Sequence, residues 1–262
     1  MRILTIGDIV SPRAGESLCR NLSRIRRELE VDFVIANGEN ICVGEGNGIS
    51  AKWARELHAS GVDCITTGNH AWRQSSIYNY MDDHSHILRP INYASASPGV
   101  GSALFDVGST QILAINAAGR GMTHEVQTDC PFNAVEEALR KYVESSPLVI
   151  IDFHAESTSE KAAFAYHFDG RVSAIFGTHT HVQTADERVL PRGTGFITDI
   201  GMTGVTESCL GVATECIIAK FRTGLPQRFV PADGEIVMTG ALFDVDVATG
   251  QSIDVQRVRM GL

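Results

Sequence analysis

Short apolar segments alternate with amphipathic stretches along the first third of the chain. The segments at 3–6, 33–36 and 62–66 have the length and composition of buried strands. Within residues 18–29, leucine and isoleucine recur every three or four positions, which is the spacing of one helix face. Strands that alternate with amphipathic helices predict an α/β fold.

The predicted helices have recognisable ends. Ser11 followed by Pro12 is typical of a helix start, because serine caps the first turn and proline suits the first helical position. Ser50 is expected to cap a second helix that ends at Gly61. Ser157 and Glu160 have the spacing of a capping box, which predicts a further helix at 157–167.

The rest of the chain predicts mixed sheets in one unit. Residues 103–107 and 111–116 flank a Gly-Ser-Thr turn and predict a hairpin, and residues 132–145 carry a helical pattern. Further strands are expected at 148–153, 172–176, 196–198 and 236–247. Since neither a repeat nor a linker-like segment interrupts the pattern, residues 1–262 are expected to form a single domain.

Composition narrows the classes of partner. Hydrophobic residues make up 44% and charged residues 20%, as in an ordinary globular protein. The net charge of −9 disfavours sequence-independent binding to nucleic acid or to an anionic membrane. If the substrate is a phosphate ester, its charge must be balanced locally, for example by bound metal. The sequence leaves homo-oligomer formation open.

The N-terminal segment and the cysteines indicate a cytoplasmic protein. Residues 1–8 are too short an apolar run for a signal peptide, and they end in an aspartate. No stretch has the roughly 18 apolar residues of a membrane span. The six cysteines are scattered without a CxxC pair, so free thiols in a reducing compartment are expected.

Residues that can bind metal follow five of the predicted strands. Alone, each has an ordinary structural explanation, such as a helix cap or a hydrogen-bonded histidine. Because ligands collect at the carboxyl ends of neighbouring strands, five such ends together favour a metal centre. These residues are Asp8, Glu39, Asn40, Asn69, His70, His154, His179 and His181.

The mixture of donors fits two ions better than one. His179 and His181 are two residues apart and can serve neighbouring ions, while the two carboxylate oxygens of Glu39 can bridge them. Imidazole, carboxylate and amide oxygen suit Fe, Mn or Zn and argue against a thiolate site. A metal pair about 3.5–4 Å apart activates water and clamps the oxygens of a phosphoryl group.

Several segments together resemble the calcineurin-like metallophosphoesterase superfamily, and most closely its bacterial YmdB-type branch. The resemblance covers nearly the whole chain. The segments are residues 7–8, 37–40, 68–70, 152–156 and 177–186, with 198–204 resembling the C-terminal signature of the branch.

The resemblance implies a fold, an activity and residue roles. The implied fold is a four-layer α/β/β/α sandwich, and the implied activity is hydrolysis of small phosphoesters, notably 2′,3′-cyclic nucleotides, by a metal-activated bridging water. It implies one metal site at Asp8, Glu39, Asn40 and His181. It implies a second at Glu39, Asn69, His154 and His179, with His70 as general acid.

Two departures from the wider superfamily are shared with the branch. The usual Asp-x-His of the first strand is Asp8-Ile9-Val10 here, so one imidazole is absent, and Asn40 is expected to fill its place. The usual bridging aspartate is Glu39. The loop at 119–130 is atypical of the branch and is expected to border the substrate, which leaves substrate preference open.

The sequence is also compatible with two other functions. The first is a phosphomonoesterase or nucleotidase that uses the same site. The second is a metal-dependent regulatory protein with slow catalysis. His70 has no ligand role among the implied metal sites, and this favours a catalytic function over binding alone.

The other histidines are interpreted as structural. His84 and His86 are expected in a solvated turn rather than as metal ligands, and His58 is expected on a helix surface. His124 lies in the loop at 119–130, where contact with substrate is the less favoured of two readings.

Overall fold

Two β-sheets lie face to face, with helices on both outer sides. The computed structural model describes residues 1–122, 128–145 and 148–262. Its strands are β1 (Arg2–Ile6), β2 (Asp8–Ile9), β3 (Phe33–Asn37), β4 (Cys64–Thr66), β5 (Ile87–Leu88), β6 (Ser102–Val107), β7 (Thr110–Ala118), β8 (Leu148–His154), β9 (Ala174–Thr178), β10 (Arg188–Val189), β11 (Gly195–Ile197), β12 (Met202–Val205), β13 (Ile236–Val245) and β14 (Ser252–Gly261). Its α-helices are α1 (Pro12–Glu28), α2 (Ala51–Ser60), α3 (Ile77–Asp83), α4 (Pro131–Lys141), α5 (Thr158–Phe168) and α6 (Thr214–Thr223).

Both sheets are mixed. Over the described residues, the first has the order β2-β12-β13-β1-β3-β4-β5, and β14 also pairs with β13. Strands β1, β3, β4 and β5 are parallel, whereas β13 is antiparallel to β1. The second sheet has the order β10-β11-β9-β8-β7-β6, with a parallel centre of β7, β8, β9 and β11. Parallel neighbours end at the same sheet edge, which is where the candidate residues lie.

Three hydrophobic cores separate four layers. Along β8, Ile150 packs in the core between the sheets, whereas its neighbours Val149 and Ile151 pack in the core beneath α4 and α5. On the first sheet, Leu4 faces the core beneath α1 and α2, and Ile3 faces the second sheet. The expected four-layer α/β/β/α arrangement is confirmed.

Most of the predicted helix ends are confirmed, and one contact differs. The hydroxyls of Ser11, Ser50 and Ser157 accept hydrogen bonds from first-turn N–H groups, and Gly61 ends α2 in a left-handed conformation. The carboxylate of Glu160 accepts instead from the backbone N–H groups of Arg120 and Gly121. The side chain expected to close a capping box therefore anchors the start of the loop at 119–130.

All six cysteines have free thiols. None of the helices in the described ranges is long and apolar enough to cross a membrane. His84 and His86 lie between α3 and β5, as expected, but both are half-buried rather than solvated because they stack on Tyr80 and His58. His58 is exposed on α2. His124 lies outside the described residues.

Candidate metal centre

All eight predicted site residues lie at strand ends or in the loops that directly follow them. Asp8, in the short strand β2, comes two residues after β1 ends. Loops after β3 and β4 carry Glu39-Asn40 and Asn69-His70, His154 is the last residue of β8, and His179 directly follows β9. The side chains of Asp8, Glu39 and His154 are fully buried, although all three are ionisable.

One group of donor atoms surrounds Nε2 of His154. This nitrogen lies 3.0 Å from Oδ1 of Asn69, 3.1 Å from Oε1 of Glu39 and 3.1 Å from Nδ1 of His179. One N–H cannot donate to three acceptors at once, whereas a cation accepts lone pairs from all of them. Glu39, His154 and His179 offer ligand atoms within 4.8 Å of one another, so these residues fit a metal ion.

A second group lies on the other side of Glu39. Nε2 of His181 is 3.5 Å from Oδ1 of Asp8 and 3.1 Å from Nδ2 of Asn40. Nδ2 of Asn40 also lies 3.2 Å from Asp8 and 3.4 Å from Oε1 of Glu39. Glu39 therefore lies between the two groups, as a bridging ligand must.

The amide of Asn40 is turned the other way from the predicted role. Its NH2 group faces Asp8, Glu39 and His181, while its carbonyl oxygen lies 3.0 Å from Nδ1 of His70. For Asn40 to offer oxygen to an ion, the amide must rotate by about half a turn and exchange the two atoms.

Each of the three candidate histidine ligands is held through its other ring nitrogen. Nε2 of His179 contacts the carboxylate of Glu156 at 2.9 Å, and Nδ1 of His181 contacts the backbone oxygen of Leu210 at 3.3 Å. Metal-binding histidines ordinarily have such a partner, which fixes the ring and its tautomer. The sequence analysis gave no role to Glu156. The feature that could have indicated one is its position two residues after His154.

The tautomer of His154 follows from a chain of hydrogen bonds. Its Nδ1 lies 2.8 Å from the hydroxyl of Thr178, and that hydroxyl donates to Asp152 at 2.7 Å. Since the only hydroxyl proton goes to Asp152, Thr178 accepts the Nδ1–H of His154. The lone pair of the neutral ring is then on Nε2 and faces the other donors.

Electrostatics at this site favour a cation. Burial opposes ionisation of Glu39 and Asp8, but the neighbouring histidines lower the pKa of Glu39 to about 2 and that of Asp8 further below its ordinary value. Burial also disfavours charge on His154, yet Glu39 and Asp8 raise the pKa of His154 to about 9. The buried field is thus negative enough to hold a proton on a fully buried imidazole.

The segment that carries His179 and His181 has an unusual backbone. Both residues have positive φ, 98° and 62°, a conformation that costs free energy in residues with a side chain. Asp199 holds this segment by accepting the N–H of Thr180, and it forms a 2.7 Å ion pair with Lys161. Lys161 also donates to the backbone oxygen of Thr178 at 2.9 Å. Sequence reasoning missed Lys161, and it gave Asp199 no role beyond membership in the segment 198–204.

Comparison with known proteins places the chain in a family. A sequence profile described as "YmdB-like protein" matches residues 4–258. The chain belongs to the YmdB-like family. It is 40% identical over 258 residues to the 2′,3′-cyclic-nucleotide 2′-phosphodiesterase of Bacillus subtilis, covering 98% of this chain and 96% of that one.

One solved structure supports the family assignment, and a more distant one shares the fold. A novel phosphatase of Mycoplasma pneumoniae is 33% identical, with a TM-score of 0.92 over 100% of this chain and 93% of that one. The NAD nucleotidase of Haemophilus influenzae shares the fold at 12% identity, with a TM-score of 0.60 over 100% of this chain and 56% of that one. The expected YmdB-type branch is confirmed, and the named relatives bear out the expected class of phosphoester-hydrolysing enzyme.

Gly68 has room for no side chain, because a Cβ there would overlap the ring of His154 and the carboxylate of Glu39. We expect Gly68→Ala to displace both groups, to lower the free energy of unfolding by about 1–3 kcal/mol and to remove most of the bound metal. Metal content per chain and thermal unfolding measure the two effects. Gly204→Ala is the matched control, since its nearest contact would be an ordinary 3.4 Å from Met202. Full metal content in Gly68→Ala would contradict this geometry.

Metal binding is expected to strengthen with pH. In the metal-free protein the pKa of His154 is raised to about 9, so below that pH a cation must displace its proton. One displaced proton makes the affinity for Mn²⁺ rise by about tenfold per pH unit between pH 6 and 8. Titration calorimetry in buffers of different ionisation enthalpy measures both affinity and proton release. Equal affinities at pH 6 and 8 would contradict the expectation, and His58→Gln, an exposed histidine outside the cluster, serves as control.

Proposed function

We propose that the protein hydrolyses 2′,3′-cyclic nucleotides, using two metal ions held at the candidate metal centre. The observation that carries the proposal is the pair of donor groups joined by Glu39, one around His154 and one around His181. The relation to the Bacillus subtilis 2′,3′-cyclic-nucleotide 2′-phosphodiesterase supports the substrate class.

The proposed ligands divide at Glu39. Asp8, Asn40 and His181 would hold one ion together with Glu39. Asn69, His154 and His179 would hold the other. Iron or manganese suits these oxygen and nitrogen donors best, and zinc is compatible with them. When bound, the ions supply Lewis acidity and lower the pKa of water, which provides the nucleophile at neutral pH.

Residues 1–262 are proposed to form one domain. Strands β1, β3 and β4 of the first sheet lead to Asp8, Glu39, Asn40 and Asn69, while β8 and β9 of the second lead to the three histidines. A site with ligands from both sheets supports a single folded unit, because neither sheet holds a complete donor set.

His70 is proposed as the general acid. Its backbone N–H donates to Glu39 at 3.1 Å, and its Nδ1 lies 3.0 Å from Oδ1 of Asn40. If the Asn40 amide turns its oxygen to an ion, its NH2 group faces Nδ1 instead and can donate to it, so the ring stays beside the donors. Its side chain is 18% exposed and lines the open cavity, unlike the buried His154. A ring in this position can give a proton to the ribose oxygen as the P–O bond breaks.

The activity is tested with 2′,3′-cAMP, 5′-AMP and p-nitrophenyl phosphate. We expect the protein to be inactive after EDTA treatment, to recover with Mn²⁺ or Fe²⁺ better than with Mg²⁺, and to hydrolyse 2′,3′-cAMP fastest. The name of the Bacillus relative specifies the 2′ ester, so 3′-AMP is the expected product, which phosphorus NMR identifies. Full activity in EDTA would refute the metal mechanism. Preference for 5′-AMP would instead favour a nucleotidase, a function that the Mycoplasma phosphatase relative keeps open.

The role of His70 is tested by leaving-group dependence. With His70→Ala we expect unchanged metal content and a fall in kcat for 2′,3′-cAMP of about 10²–10⁴-fold, because the ribose alkoxide leaves poorly without a proton. The fall should be much smaller for p-nitrophenyl phosphate, whose leaving group is stable unprotonated. Loss of metal together with an equal fall for both substrates would instead assign His70 to the support of Asn69.

A further inference from the structure

We propose that the cavity beside the metal centre binds the nucleobase of the substrate, with Phe221 of α6 stacking on its face. This proposal rests on the proposed function, because it assumes that the phosphate lies at the candidate metal centre. It adds a recognition element, since the predicted site residues contain only polar and charged side chains.

The cavity has two chemically different walls. Its volume is about 410 Å³, within the range of small-molecule sites. The polar wall is formed by the metal centre itself, through Glu39, Asn40, His70, His179 and His181. The rest of the lining, the apolar wall, is largely made of hydrophobic side chains that include Val43, Val212, Ile217, Phe221 and Phe229. A phosphate with no organic group would need only the first wall.

Helix α6 supplies the aromatic surface. None of its residues is fully buried, and its contact with a hydrophobic core is limited to half-buried Cys216 and Ile217, which pack against Val10, Val43 and Val212. Ile217 and Phe221 are four residues apart and therefore share a face, and both line the cavity. The side chain of Phe221 is 83% exposed, which leaves a large apolar ring in water unless a ligand covers it.

The second aromatic residue already has a partner. The ammonium of Lys220 lies 4.9 Å from the ring centre of Phe229, a cation–π contact that covers one face of that ring. Phe221 is therefore the ring with the more accessible face. Stacking suits a nucleobase, because every base presents a flat π-face, so we expect binding of purines and pyrimidines with a modest preference for the larger purines.

The decisive comparison uses two cyclic esters, 2′,3′-cAMP and glycerol 1,2-cyclic phosphate, which has the same reacting group but no base. In Phe221→Ala we expect the ratio of their kcat/KM values, 2′,3′-cAMP over the glycerol ester, to fall about tenfold, mainly through KM for 2′,3′-cAMP. Phe221→Trp should keep the ratio near that of the wild type. Ile218→Ala is the matched control, because Ile218 lies on the same helix, is 53% exposed and does not line the cavity.

Adenosine provides a second readout that does not depend on turnover of a nucleotide. We expect adenosine to inhibit hydrolysis of glycerol 1,2-cyclic phosphate in the wild type, and to need about tenfold more in Phe221→Ala. Ribose should inhibit neither protein at the same concentrations.

The outcomes separate the two proposals. If the wild type hydrolyses neither cyclic ester, the proposed function fails. If it hydrolyses both, but Phe221→Ala and Ile218→Ala give the same ratio, the assignment of the nucleobase to this cavity is refuted. It is also refuted if Phe221→Ala changes the oligomeric state in size-exclusion chromatography and the ratio stays constant, because α6 would then be a contact between copies of the chain.

Discussion

The structure depends on two buried carboxylates that require positive charge beside them. Asp8 and Glu39 are both fully buried and both have lowered pKa values, so like charge is concentrated inside the protein. Such charge is costly unless it is paired or coordinates a metal. A proton on His154 provides part of the compensation in the metal-free protein, and a cation bound by the same donors would provide more. The need for a cation is therefore built into the folded chain.

The residues behind the donors show how that concentration of charge is held in place. Lys161 and Asp199 form an ion pair whose members are each 1% exposed, and removing one partner of such a pair costs about 3–5 kcal/mol. The pair fixes the backbone around Thr180 and thus the two histidines on either side of it. Asp152 acts similarly through Thr178, which orients His154. Buried polar groups behind the donors thus satisfy one another's hydrogen bonds, which holds the donor side chains in position.

The strand-end pattern made the clustering of the candidate residues predictable from sequence. Apolar runs identify buried strands locally, and the geometry of parallel strands then brings together Asp8, Glu39 and His154 although they are far apart in the chain. The elements that sequence reasoning missed depend on distant partners instead. Strand β2 has two residues and exists through pairing with β12, and α6 has no fully buried residue, so its periodic signal is weak. The contacts of Lys161 and Glu160, and the orientation of the Asn40 amide, likewise depend on residues remote in sequence.

The polar and apolar walls of the cavity come from different parts of the fold, and this difference affects substrate specificity. The donors project from strand ends and from loops tied to buried polar groups, so their positions are set by both sheets. The apolar wall comes largely from α6 and the segment after it, which lie outside the sheets and bury little. Substitutions on α6 can therefore change which organic group is accepted without disturbing the core that positions the donors. Such a division of the fold allows the accepted organic group to change while the phosphoester chemistry at the donors stays the same.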